Sequence, residues 1–314
     1  MRRFPPIKAL LAFAAAARHL HFGRAGAELN VSGSAISHQI AKLEAEIGSR
    51  LFVRANGRVS TTPVGRALAA GLEKRFDEIE ALLARASTAT AGRRKVTVVA
   101  GASLASLWLA DRIERYRRAN RGMHIKLTSV SDWPSSGTHF DVAILYAGAS
   151  APRYPWAPFA KEAVAPYASP GVSRRLGKRP SLKAIASLPL IGSSNILNWS
   201  DWFRAFDAEH LFEAEDIELD RSMLAIDLAR RGKGLVLESD LLAHDLVRDG
   251  RLIRLAPQGA APIWQHAYRI ALGPSAASDA SVAEFVHWLW HALPARNCEP
   301  IEAIEALFAV AKLS

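Results

Sequence analysis

The chain has 314 residues, of which 50% are hydrophobic and 22% charged. That composition excludes a disordered, collagen-like or disulfide-built protein and gives room for two or three domains. The single cysteine, Cys298, cannot form an internal disulfide or a zinc site built on cysteine spacing. Charge or proline interrupts every apolar run well short of the ~20 residues that span a bilayer. No long apolar stretch follows Arg2 and Arg3, so neither a signal peptide nor a membrane segment is expected, and the expected location is the cytoplasm. Residues 1–66 hold ten Lys/Arg against three Asp/Glu, whereas residues 67–314 hold thirty against twenty-seven, so most of the net charge of +10 sits on the first fifth of the chain. A basic head on a nearly balanced body fits a polyanion-binding domain, or an ordinary arginine-rich surface.

Pro5-Pro6 opens a helical pattern in which Ile7, Leu10, Leu11, Ala14 and Ala17 recur at spacings of three and four. A short second helix is predicted from Gly23 to Leu29. Asn30-Val31-Ser32 then breaks the chain. A third helix runs from about Ser32 to Ile47 on an apolar stripe of Ile36, Ile40, Leu43 and Ile47, and Gly48 ends it. Leu51 to Ser60 holds two β-prone runs around Asn56-Gly57, a dipeptide that accepts the positive φ angles of a tight hairpin. Thr62-Pro63 reads as the cap and first residue of a long helix. On it Leu72, Phe76, Ile79, Leu83 and Ala86 repeat at four and three. That repeat is a coiled-coil seam for a homodimer, or a face packed on the helix's own domain. Ser87 to Gly92 is small and patternless, as in a hinge.

After Arg93 the texture changes. Strands are predicted at Val96–Val99, Ile125–Val130, Phe140–Tyr146, Pro189–Ile191, Leu235–Glu238, Leu252–Leu255 and His266–Leu272. Helices are predicted at Ser103–Ala119, Trp199–Ala208, Ser222–Arg231, Ser239–Arg248 and Ser278–Ala292. Alternation at this pitch means an α/β body with mainly parallel strands.

In the head, two helices joined by a short break behind a supporting first helix describe a helix-turn-helix, although a plain three-helix bundle has the same periodicity. The third helix is the reader. Opposite its apolar stripe it presents Ser34, Ser37, His38, Ala41 and Lys42, short or polar side chains that suit base edges in a major groove. Its first-turn amides suit a phosphate. Arg54 and Arg58 flank the hairpin turn, where a wing would offer two guanidiniums to the DNA backbone or minor groove. Gly23, Arg24, Ser32 and Gly33, at the starts of the two helices, complete the candidate contacts to double-stranded DNA.

The segments Leu11-Ala12-Phe13, Ala16 to Phe22, Ala25, Leu29, Ser34 to Ile40, Leu43-Glu44, Gly48, Leu51-Phe52, Arg54, Thr62 and Gly65 together resemble the head of LysR-type transcriptional regulators. His38 and the Pro-Pro opening resemble the subgroup containing the glycine-cleavage activator and the β-lactamase regulator. The body is similar more loosely, through Trp108-Leu109, Phe140 to Ile144, Trp199 to Trp202 and Gly232 to Leu237. Three glycines depart from the family pattern. Gly33 replaces the usual Gln of the reading helix, which moves reading onto Ser34, Ser37, His38 and DNA shape. Gly23 replaces a Ser/Thr cap and Gly26 an Ala, each expected to weaken the second helix by about 0.5–1 kcal/mol.

The resemblance implies an α + α/β architecture. A winged helix-turn-helix (1–62, with the motif at about 23–42) is followed by a linker helix and hinge (63–92). A two-lobed, periplasmic-binding-protein-like effector domain then covers 93–296, and a helical extension covers 297–314. Lobe one comprises 93–165 and 266–296, and lobe two 166–265. The resemblance also implies a promoter or operator as partner, a small-molecule effector of unknown identity, a homotetramer built from dimers, and contact with RNA polymerase. Ligands in open α/β sheets sit beyond the carboxyl ends of strands. Ser103, Tyr146, Ser194 and Asn195 stand at such ends and are the candidate effector contacts, with Met223 as an apolar wall. Ser and Gly at those points also fit ordinary turns. Leu145 stands where many members carry an arginine, which argues against a strongly anionic effector.

Two other classes compete. An enzyme is disfavoured because G-x-S-x-G, Walker, H-E-x-x-H and G-x-G-x-x-G motifs are all missing from the sequence. The histidines are scattered, His19 and His21 would not share a helix face, and Cys298 has no evident base. No catalytic residue, metal site or cofactor is therefore expected. A sequence-blind architectural DNA protein would not need the large body. Pro300 to Ser314 carries Ile301, Ile304, Leu307, Phe308 and Val310, an amphipathic helix that either caps lobe one or joins an oligomer contact.

Overall fold

The computed structural model describes residues 5–55, 58–89, 94–134, 139–146, 154–193, 197–273 and 276–313. The chain divides into two compact units at Ala84/Arg85. The first holds α1 (Ile7–His19), α2 (Phe22–Glu28), α3 (Gly33–Ile47), the hairpin β1 (Phe52–Ala55) and β2 (Arg58–Thr61), and most of α4 (Pro63–Ala89). Phe13, Ile36, Ile40, Leu43, Leu51 and Phe52 form its core, and the Phe52 ring meets those of Phe13 and Phe22 edge-on, each at 5.5 Å between centroids. Ser32 caps α3 by accepting from the Ala35 N–H at 3.2 Å, and Gly48 closes the helix at φ +73°. Thr62 caps α4 by accepting from the Gly65 N–H at 2.9 Å, and its hydroxyl donates to the Arg50 carbonyl at 2.8 Å.

The second helix corrects the expectation at two glycines. His21, not Gly23, occupies the cap of α2, and its Nδ1 accepts from the Arg24 N–H at 3.2 Å. Gly26 is required by contact: a Cβ there would lie 2.6 Å from the Val31 carbonyl oxygen. Close approach of the turn, rather than loss of helix propensity, decides that position.

The second unit begins with β3 (Arg94–Gly101). A continuous helical stretch follows: α5 (Ala102–Leu104), a wide π turn (Ala105–Leu109) and α6 (Ala110–Ala119). Next come β4 (Met123–Val130), β5 (Val142–Tyr146), β6 (Trp156–Ala168), α7 (Pro170–Leu176), α8 (Leu182–Ala186), β7 (Leu190–Ser193) and α9 (Trp199–Arg204). The rest is β8 (Ile217–Leu219), α10 (Ser222–Arg230), β9 (Leu235–Ser239), α11 (His244–Arg248), β10 (Ile253–Arg254), β11 (Ile263–Leu272), α12 (Ala280–His291) and α13 (Ile301–Leu313).

These strands form one sheet in the order β4-β3-β5-β11-β6-β9-β7-β8, with β10 also paired to β6. The two wings are parallel: β3 pairs with β4 and β5, and β7 with β8 and β9. The expectation of mainly parallel strands fails in the middle. There β6 and β11 run antiparallel to each other and to the wings, and carry the chain from one lobe to the other and back. Strand β6 escaped the sequence reading because Glu162 to Ala168 is buried on both faces and shows no alternation. The helix expected at Ser239–Arg248 is confined to His244–Arg248; the Ser239 hydroxyl instead accepts from the Leu241 N–H at 3.1 Å and holds a turn.

The C-terminal extension packs on lobe one. Ile304, Leu307 and Phe308 are buried in the same core as Val96, Ile144 and Phe285. Before α13, the buried Asn297 amide donates to Asp240 Oδ1 at 2.8 Å and to the Lys161 carbonyl at 3.0 Å. Asp240 Oδ1 also accepts from the Ala163 N–H at 2.9 Å, so the tail ties lobe two's β9 end to the crossing strand.

Candidate nucleic-acid interface and effector site

On α3, Ser34, His38, Ala41 and Lys42 are exposed and Ser37 is half-buried. Spacings of three and four align them on one face, opposite Ile36, Ile40 and Leu43. Arg24 is exposed on α2, and Ser32 Oγ lies 2.8 Å from Ser34 Oγ at the start of the reader. Gly33 approaches α2 closely: a Cβ on it would sit 3.2 Å from the Gly23 Cα. The backbones of Arg54 and Arg58 lie in the hairpin, opposite Val59 and Ala55, whereas their side chains and Asn56-Gly57 fall outside the described residues. The expected candidates thus cluster at one helix and its flanks.

Glu44 is a positioning residue that the sequence reading did not single out for this role. Its buried carboxylate accepts from the Leu51 N–H at 2.7 Å and the Phe52 N–H at 3.2 Å, and pairs with Arg50 at 3.0 Å. It therefore fixes the base of the wing against the back of the reading helix. The available signal was an acid at the edge of an otherwise apolar stripe. The proposed seam is divided: Leu72 and Phe76 pack on the head's own core, while Ile79 and Leu83 are 48% and 65% exposed.

Within the second unit, strand ends from the two lobes reach acids on β6 and on its neighbour β9. From lobe one, the Tyr146 hydroxyl at the end of β5 donates to Glu162 Oε1 on β6 at 2.6 Å. Gln265 on β11 donates to the same Oε1 at 2.7 Å and to the Tyr146 oxygen at 2.8 Å. From lobe two, the Ser193 hydroxyl at the end of β7 donates to Glu238 Oε1 on β9 at 2.6 Å. Burial pushes Glu162 up to about 7, reinforced by the like charge of Glu238 and opposed by Ser239, Tyr146 and Gln265. Burial, followed by the charge of Glu162, also raises Tyr268 beside Tyr146.

Two more expected residues meet across the lobes: the Met223 N–H donates to Ser103 Oγ at 3.2 Å. Met223 also lines a pocket of about 490 Å³ with Ser106, Asp227, Arg230 and Arg251. Ser194 and Asn195 lie outside the described residues; Ser193 is their described neighbour. Glu162, Gln265 and Glu238 were missed, because a lone polar residue inside a buried strand is unremarkable until the strands are placed. Two other contacts join the lobes. Arg221 donates to Ser131 Oγ at 3.0 Å, and buried Arg112 grips Asp245, with Nη2 to Oδ1 at 3.2 Å. Burial raises the Asp245 carboxyl, but the bonds and charges of Arg112, with Arg248, hold it below its ordinary range.

Among the described residues no group of three His, Cys, Asp or Glu could hold a metal ion. His19 pairs with Glu28 at 2.6 Å and His21 caps α2, so each has a structural partner. Burial raises the Cys298 thiol, which lies 3.6 Å from the Pro294 carbonyl oxygen, the opposite of what a nucleophile needs. No described helix is long and apolar enough to cross a membrane.

A wing-backed helix-turn-helix joined to a two-lobed α/β body defines a class, the DNA-binding regulators whose second domain receives a small molecule. Residues 7–66 match the bacterial regulatory helix-turn-helix family described as lysR, and residues 89–294 match the LysR substrate binding domain. The chain belongs to the LysR family of transcriptional regulators. It is 31% identical over 251 residues to the HTH-type transcriptional regulator PerR of Escherichia coli K12, covering 79% of this chain and 82% of that protein. It is 27% identical over 291 residues to the glycine cleavage system transcriptional activator of the same strain, covering 92% and 94%. The crystal structure of ArgP from Mycobacterium tuberculosis shares the fold, with a TM-score of 0.56 at 18% identity over 90% of this chain and 96% of that one.

Proposed function

We propose that this chain is a cytoplasmic regulator that binds a two-fold promoter site as a dimer, pairs dimers into a tetramer, and contacts RNA polymerase. DNA is read by Ser34, Ser37 and His38. Arg24, Lys42, Arg54 and Arg58 hold phosphates, and the amides after Ser32, Gly33 included, face the backbone. Gly33 admits the close approach of the reader to Gly23 on α2. The working division is 1–62 for DNA, 63–92 for the linker, 93–296 for the effector and 297–314 for a strap on lobe one. The effector occupies the interlobe floor around Ser103, Tyr146, Ser194, Asn195 and Met223. It acts through different affinity for two lobe arrangements. No catalytic step is assigned to any residue.

The observation that carries this reading is the single face of α3 on which Ser34, Ser37, His38 and Lys42 align while Ile36, Ile40 and Leu43 are buried behind it. The test is a nuclease footprint on the DNA upstream of the chain's own gene, across a salt series, with Ser37→Ala and Arg54→Ala. The expected result is a bounded, symmetric footprint that Ser37→Ala relaxes and Arg54→Ala weakens. Uniform protection with a steep salt slope would instead mark sequence-blind binding.

A further inference from the structure

We infer that the interlobe floor is built for a cationic effector, a small molecule that presents an ammonium or guanidinium group to Glu162 and Glu238. The inference rests on the regulator reading above and specifies the chemistry of the same site.

Two acids lie on neighbouring strands of the sheet, Glu162 on β6 at 1% exposure and Glu238 on β9 at 0%. The strands are neighbours, with Val164 opposite Ser239 and Ala165 opposite Glu238. Glu162 spends one oxygen on both Tyr146 and Gln265, while its second oxygen, Oε2, is buried with no hydrogen-bond partner. A buried carboxylate oxygen left without a donor is unfavourable and is normally satisfied. The groups facing Glu162 from the surrounding strands are Tyr146 on β5, Gln265 and Tyr268 on β11, and Glu238 and Ser239 on β9. All are neutral or acidic. Among the described residues no ion pair reaches Glu162.

The donors described therefore orient the Glu162 carboxylate without neutralising it. A cation with two or more N–H donors supplies what Glu162 lacks: a partner for Oε2 and a positive charge beside it. An anion at the same point would meet two buried acids of its own sign. In the free protein Glu162 holds its proton up to about pH 7, and a bound cation would displace that proton.

The test is calorimetric titration of the full chain with L-lysine, L-arginine and putrescine, alongside succinate and benzoate, at pH 6 and pH 8. At least one cationic probe is expected to saturate, with an affinity about tenfold higher at pH 8 because Glu162 is then ionised. E162Q should abolish that pH dependence, and E162Q and E238Q should each weaken binding while both keep the wild-type DNA footprint as evidence of folding. Saturation by the anions alone overturns the proposal, as does cation binding that E162Q and E238Q leave unchanged, or silence from every cation at millimolar concentration. A missing footprint with cation binding intact would count against the regulator reading and not against this one.

Discussion

Gly26 and Val31 lock the turn of the helix-turn-helix. The Val31 N–H donates to the Gly26 carbonyl at 2.8 Å, and the Val31 carbonyl oxygen stands 2.6 Å from where a Gly26 Cβ would lie. Asn30 makes this possible by adopting φ +55°, a left-handed conformation that asparagine accepts more readily than most residues.

Gly26→Ala should therefore destabilise the head even though alanine favours helices. The overlap is with backbone, so the turn must shift, and a loss of about 1–3 kcal/mol is expected. A denaturant midpoint equal to or above wild type would show that the turn yields freely.

Glu162 should impose a pH dependence on the body's stability. Its folded pKa of about 7 lies above its ordinary value of 4.5, so between those values the folded state holds more proton than the unfolded chain. Stability then falls as pH rises through that window, and the carboxyl is a full liability above it. Glu162→Gln should flatten this component of a melting series between about pH 4.5 and 7. Asp245, held below its ordinary value, acts with the opposite sign: its contribution is lost only on acidification below its ordinary pKa of 3.8.

The tail should behave as part of lobe one. Leu307 is 2% exposed against the core that contains Phe285 and Ile144. Leu307→Ala should lower stability by about 2–5 kcal/mol, read from denaturant unfolding of the full chain. A surface-like response would mean that α13 lies against nothing that matters.

The outer half of the seam should carry self-association. Ile79 and Leu83 are exposed on α4, four residues apart, whereas Leu72 and Phe76 serve the head's own core. Ile79→Asp with Leu83→Asp should dissociate the dimer in sedimentation without unfolding the head, since two large side chains each gain about 1.5–3 kcal/mol on burial. An unchanged sedimentation coefficient would place the dimer contact elsewhere.

The DNA-reading head was legible because its determinants are local. Helix periodicity, the Thr62 cap, Gly48 and the turn between α2 and α3 all act within a few residues, and each appears where expected. The same locality misled at Gly26, because its constraint comes from a carbonyl five residues on. In the body, sequence marked the strands of the parallel wings except β8, and three candidates that the folded chain places at lobe contacts: Ser103, Tyr146 and Met223. It could not reveal that β6 crosses between lobes, since a strand buried on both faces loses the alternation that identifies it. Nor could it reveal that Glu162, Gln265 and Glu238, which come from three distant segments, meet beneath Tyr146 and Ser193. Their proximity is set by strand order and register, and these arise from long-range pairing that no window of sequence contains.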